Sequence, residues 1–278
     1  MNSNVLQFLE VPILASLVIV GVHAYLGLHV VQRGVIFVDL ALAQIAALGA
    51  TLALLIPAFA DDPHGNAVYW MSLAFTLVGA AIFAFVKGQK ARIPQEAIIG
   101  ISYAVASAGV ILAMSQTSRE SEHLKDMLVG NILAVSSTEV WRTAGIYLAI
   151  AVFHVVFRRR FLLISTNPEQ AAARGWSIRF WDFLFYASFG LVVTRSVAIA
   201  GVLLVFCYLV VPSVASMLYA DRIGPRLAIG WIMGVVVSML GMYFSVQFDL
   251  PTGATIVCTF GMVLILMALV RPLIVRRT

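Results

Sequence analysis

Nine stretches of this chain are apolar for long enough to matter to a lipid layer: 9–31, 34–57, 68–86, 97–114, 138–157, 181–194, 197–219, 226–246 and 253–270. An α-helix rises 1.5 Å per residue, so about 30 Å of hydrocarbon asks for about 20 residues. The stretch 181–194 is short, which leaves either eight or nine spans. Backbone amides in lipid must be satisfied within their own segment, and this favours helices throughout. The runs are continuously apolar and lack the in/out alternation of a transmembrane barrel strand. The expectation is an all-α fold, a polytopic transmembrane helical bundle of 8–9 spans forming one domain over residues 1–278.

Composition excludes an ordinary water-soluble domain. Hydrophobic residues are 62% of the chain, charged residues 11%, and the mean hydropathy is +0.99. A soluble domain carries about 25% charged residues to build its surface. The net charge of +5 falls in the short gaps between apolar stretches rather than on one patch, so no nucleic-acid partner is expected. Cys207 and Cys258 both lie within apolar runs and form neither a disulfide framework nor a CxxC metal site. The first stretch has no basic region or small-residue cleavage site before it and is read as a span, not a signal peptide.

Basic residues set an orientation. With nine spans and the N-terminus outside, the cytoplasmic gaps hold Arg33; Lys87, Lys90 and Arg92; Arg158, Arg159, Arg160, Arg174 and Arg179; Arg222 and Arg226; and Arg271, Arg276 and Arg277. The outer side keeps only Arg119, Lys125, Arg142 and Arg195, together with Glu10, Asp61, Asp62, Glu120, Glu122, Asp126, Glu139 and Asp249. This obeys the positive-inside rule and places the C-terminus in the cytoplasm.

Two connections carry local signals. The outer one, 115–137, mixes a polar stretch with a short apolar LVGNIL, which fits a half-inserted segment. In the cytoplasmic one, 158–180, Asn167-Pro168-Glu169-Gln170 reads as a helix start, with proline in the first turn and glutamate against the N-terminal dipole. Ala171, Ala172 and Ala173 continue it and Gly175 can stop it in a left-handed cap.

Six fragments stand in order over roughly 30–270: Arg33-Gly34 with VIFVDLALAQIAALG, QEAIIGISYAVASAGVILA (95–113), Leu128 to Leu133, NPEQAAARGWSIRFWDFLFY (167–186), VAIAGVLLVFCYLVVPSVASMLYADRI (197–223) and Asp249-Leu250-Pro251-Thr252-Gly253-Ala254. Together they resemble the permease subunits of zinc, manganese and iron ABC importers. The resemblance implies a divalent transition-metal cargo, zinc or manganese with iron also possible, and no covalently bound cofactor. It implies a permease homodimer in a bacterial-type cytoplasmic (inner) membrane. A cytoplasmic ABC ATPase subunit would lie below it and a periplasmic or lipid-anchored metal-binding protein above. The helix near 167–178 would then be the coupling helix docking on the ATPase, through Asn167, Glu169, Ala172, Arg174 and Gly175. The chain itself holds no GxxxxGK[ST], so ATP is expected on the partner subunit and no enzymatic step here. HExxH and GxSxG are missing too, and no inverted repeat of a secondary carrier is detectable.

Candidate pathway residues follow from intramembrane polarity. Asp39 reads as the one acidic residue well inside a span, either facing the cation path or pairing with Arg33 near the cytoplasmic interface. By the resemblance, the family's histidine falls on Gln44 and its aspartate, four residues earlier, on Leu40, while Asp39 takes the place of a glycine. Positions 39 and 44 are about 140° apart on a regular helix and cannot share an ion without a bulge. That substitution motivates the alternative of the same scaffold moving a non-metal solute. His23 could supply an imidazole, or could bond a neighbouring helix; with Asp39 it is the candidate metal ligand. Cys207 is a further pathway candidate, and packing is its other reading. His29 and His154 are expected near the interface, and His64 and His123 in outer connections. Pro212 should kink its span, and Ala41, Ala43, Ala46, Ala47 and Gly49 suit close helix contact.

Overall fold

A computed structural model describes residues 3–59, 65–86, 93–115 and 132–275. His64, His123, Lys87, Lys90, Arg92 and most of the outer connection 115–137 lie outside these residues. Every regular element among the described residues is helical: α1 Ser3–Arg33, α2 Val38–Leu54, α3 Asn66–Val86, α4 Gln95–Met114, α5 Ser137–Val156, α6 Arg158–Thr166, α7 Pro168–Ala173, α8 Ile178–Ala200, α9 Val202–Met217, α10 Ile223–Phe248 and α11 Thr252–Val275, with a 3-10 turn at Ile132–Ala134.

Seven of these helices (α1, α3, α4, α5, α8, α10 and α11) are long and apolar enough to cross a membrane, while α2 and α9 are apolar but shorter. The chain is thus a multi-pass helical membrane protein. The stretch that looked short, 181–194, belongs to the 23-residue α8. Arg195, expected in an outer connection, lies inside α8 with its guanidinium 5.6 Å from the centre of the Tyr69 ring. Nothing near 195 stops a helix, and the break comes at Gly201, whose φ of +78° no helix accommodates. Outward-facing residues are apolar, among them Ile101 and Leu112 of α4, Trp141 and Leu148 of α5, and Ile265 and Leu269 of α11. Such faces need lipid as their solvent.

The helix ends follow local chemistry. Ser136 and Glu139 form a reciprocal capping box at the start of α5: Ser136 N–H donates to Glu139 Oε2 (3.1 Å), and Glu139 N–H to Ser136 Oγ (3.3 Å). Gly34 ends α1 at a φ of +67°. The short turn after it leads to Phe37, the N-cap of α2.

Chain contacts divide the protein into two compact units. One holds 1–31, 126–152 and 198–278, and its α9, α10 and α11 pack on one another. Within it Ser16 Oγ and Tyr208 Oη lie 3.0 Å apart, and Trp231 Nε1 donates to the Gly21 carbonyl at 2.9 Å. Gly27 of α1 sits directly on α9: a Cβ built there would be 1.9 Å from Leu209 O and 2.4 Å from Ser213 Oγ. Pro212 is buried within α9, and Ser213 Oγ donates to Leu209 O (2.9 Å) beside it.

The other unit holds 32–125 and 153–197, with α2 packed against α3 and α4. The small residues of α2 permit this. A Cβ on Gly49 would come within 2.8 Å of Met71 O. At the start of α4, Gln95 Nε2 donates to Phe83 O (2.9 Å) and Tyr186 Oη (3.0 Å), tying α3, α4 and α8.

Candidate pathway site and coupling segment

Asp39 lies in the first turn of α2, not in mid-span. Only 1% of it is exposed; the backbone N–H groups of Asp39 and Leu40 face its carboxylate, and no side chain among the described residues hydrogen-bonds it. Its place is physically intelligible, because unpaired N–H groups and the helix dipole favour an anion in a first turn. A second carboxylate joins the same helix end: Glu96, in the first turn of α4, accepts from Phe37 N–H at 3.1 Å. Two acidic groups therefore converge where α2 begins.

Arg33 does not pair with Asp39. Its Nη1 pairs with Asp182 Oδ1 in α8, both side chains fully buried, while its Nε donates to Ser165 Oγ at 2.8 Å. The guanidinium also lies 4.1 Å from the Phe185 ring centre. Asp39 is consequently not the only intramembrane acid. Asp182 could have been found in the sequence, because it stands within the apolar stretch 181–194 where a charge demands an opposite charge.

Gln44 is buried on α2, which is regular α-helix from 38 to 54 with no bulge. Asp39 and Gln44 therefore point about 140° apart and do not form a pair. His23 and Cys207 belong to the other unit. His23 is fully buried in α1, with Nδ1 2.8 Å from the Ile19 carbonyl. A carbonyl only accepts, so Nδ1 carries the proton and Nε2 keeps its lone pair. That Nε2 has no partner among the described residues, which is the tautomer a metal or another donor would require. Cys207 is buried in α9 next to Tyr208.

His29 and His154 stand near the carboxyl ends of α1 and α5 and are buried in the protein, the first edge-on to Tyr25, the second with Nε2 2.9 Å from Ser188 Oγ and stacked on Phe161. Among the described residues no group of three or more His, Cys, Asp and Glu side chains is placed to hold a metal ion.

The cytoplasmic segment has a closely specified local structure. Asn167 Oδ1 accepts from Gln170 N–H (2.9 Å), Pro168 occupies the first helical position and Glu169 the first turn of α7. At the other end Arg174 is the C-cap, Gly175 turns with a φ of +74°, Gly175 N–H bonds Ala172 O (2.9 Å) and Trp176 N–H bonds Ala171 O (3.2 Å). This 6→1 and 5→2 pair is a Schellman motif. Six helical residues are too few to be stable alone, so the two caps hold α7 in shape. Asn167→Ala and Gly175→Ala should each cost about 1 kcal/mol locally. Hydrogen exchange should read this as several-fold faster exchange over 170–176, with α8 unchanged.

Relatives place these features in a family. A manganese transport system membrane protein, MntC of Halalkalibacterium halodurans, is 26% identical over 251 residues, 90% of this chain and 83% of its own length. The manganese import system permease protein ScaB of Streptococcus gordonii is 24% identical over 266 residues, covering 96% and 92%. The fold is also that of a solved chain in PsaBC from Streptococcus pneumoniae in complex with Fab, with a TM-score of 0.79 at 24% identity, over 95% of this chain and 93% of that one. The profile of the ABC 3 transport family matches residues 5–271, and the chain belongs to that family.

Proposed function

We propose that the chain is the membrane-spanning permease subunit of an ATP-driven importer for a divalent transition-metal ion, with manganese the first cargo to test. The observation that carries this reading is end-to-end similarity to permeases named for manganese transport. The buried carboxylate of Asp39, with Glu96 at the same helix end, supports a cation as cargo. Separately, the open Nε2 of His23 is an imidazole of the right tautomer for a ligand within its own unit.

In this reading α2 and α9 complete nine spans, and the N-terminus is outside and the C-terminus in the cytoplasm, as the basic residues favour. Two copies form one pathway. An ATPase subunit meets α7 through Asn167, Glu169, Ala172, Arg174 and Gly175, and a metal-binding protein delivers the ion from outside. A helix with both ends fixed can pass a partner's movement to α6 and α8 as a rigid body.

The test is transport by the permease–ATPase complex reconstituted in liposomes with a manganese-binding protein. The Asp39→Asn variant should lose tenfold or more of manganese uptake while assembling normally by size-exclusion chromatography. Unchanged uptake would remove Asp39 from the path. Zinc- and iron-binding proteins serve as parallel arms. If no metal stimulates ATP hydrolysis and another solute does, the cargo is not a metal.

A further inference from the structure

The carboxyl end of α5 passes into α6 through Phe157, which caps α6 without a side-chain hydrogen bond. Arg158, Arg159 and Arg160 fill the first turn of α6, where unpaired N–H groups already make the helix end positive. Helices ordinarily place carboxylates there. This one carries three cations instead, offset only in part by the carbonyl end of α5 that abuts the turn.

Arg159 and Arg160, together with Arg174, Val156, Phe157 and Trp176, line an open cleft of about 400 Å³. Among the described residues, no carboxylate lies within 4.0 Å of any of the three arginines. Aromatic faces hold two of them: Arg160 is 4.6 Å from the Trp181 ring centre and 5.7 Å from that of Trp176, and Arg174 is 5.8 Å from Trp176. Stacking fixes a guanidinium plane and leaves its N–H edge for a planar or tetrahedral oxyanion. Above the cleft the wall is apolar and open, with Val155 and Val156 of α5 exposed by 63% and 67%.

We propose that this cleft binds the phosphate headgroup of an anionic phospholipid, whose acyl chain lies along the Val155–Val156 face of α5. Charge explains the headgroup and the exposed valines explain the chain. Tryptophan and phenylalanine beside the arginines suit the level where headgroups meet hydrocarbon. Free phosphate would use the arginines but not the apolar wall. The site rests on the membrane-spanning architecture and is independent of the cargo; Arg174 borders both this cleft and the face assigned above to the ATPase, so the headgroup is placed on Arg159 and Arg160.

The test is lipid retention on the purified permease, read by native mass spectrometry with phosphatidylglycerol, phosphatidylcholine and inorganic phosphate as separate probes. Wild type should retain phosphatidylglycerol at least tenfold over phosphatidylcholine, and inorganic phosphate should not compete. Arg159→Gln/Arg160→Gln should abolish the preference, whereas Arg158→Gln, on the same turn but outside the cleft, should keep it. No preference in wild type overturns the proposal without any variant. So does an unchanged preference in the double variant, or displacement by inorganic phosphate. If the double variant keeps phosphatidylglycerol but loses its ATPase subunit, the face belongs to a protein partner and not to lipid.

Discussion

Gly27→Ala should prevent the folded protein from accumulating. The new methyl carbon would sit 1.9 Å from Leu209 O and 2.4 Å from Ser213 Oγ, far inside contact distance. Neither neighbour can give way cheaply. One is main chain beside Pro212, and the other is the hydroxyl bonded to that same carbonyl. Relief requires α1 and α9 to move apart within their own unit, which would undo the packing that close approach of small residues permits in lipid. Overpacking of a tight core costs about 1–3 kcal/mol, and a backbone clash of this depth belongs above that range. Gly21→Ala is the control, because a Cβ there meets nothing within 4 Å. It should be neutral or gain about 0.5–1 kcal/mol from the better helix former. Fluorescence-detected size-exclusion of tagged variants separates the two outcomes, and a normal monodisperse peak for Gly27→Ala would refute the tight crossing.

The second large effect concerns the buried ion pair. Asp182→Leu leaves the Arg33 guanidinium with no carboxylate and fully buried, a change worth about 3–5 kcal/mol in comparable pairs. Removing both charges, as Arg33→Met/Asp182→Leu, should recover most of that loss, because an apolar pair avoids the desolvation penalty. Thermal unfolding in detergent would show a large drop for the single variant and near wild-type behaviour for the double. If the two losses simply add, the residues are not coupled and the pair does not stabilise the unit that holds 32–125 and 153–197.

What sequence reasoning could reach depended on range. The helices were legible because hydropathy acts on consecutive residues, and each of the nine apolar stretches falls on a helix. The α7 caps were legible for the same reason: Asn167, Pro168 and Gly175 act within a few positions of themselves. Arg33 with Asp182 was not, since 149 residues separate them and many partners were equally available to either charge. Asp39 looked central because the apolar run starts at 34, whereas Gly34 delays the helix until Val38. The burial of His29 and His154 was equally out of reach, because their covering neighbours come from other parts of the fold or depend on side-chain placement that the sequence does not show.

Helix length has a consequence of its own. α2 and α9 have 17 and 16 residues, or about 26 and 24 Å at 1.5 Å per residue, against a hydrocarbon layer of about 30 Å. The seven longer helices can match a thicker layer by tilting less, but a short helix has no slack. A bilayer that fits the long helices therefore stretches past the ends of the short ones. In the proposed nine-span arrangement, membrane thickness, set by acyl-chain length, becomes a physical variable that acts on this protein through α2 and α9, separately from whatever ion it carries.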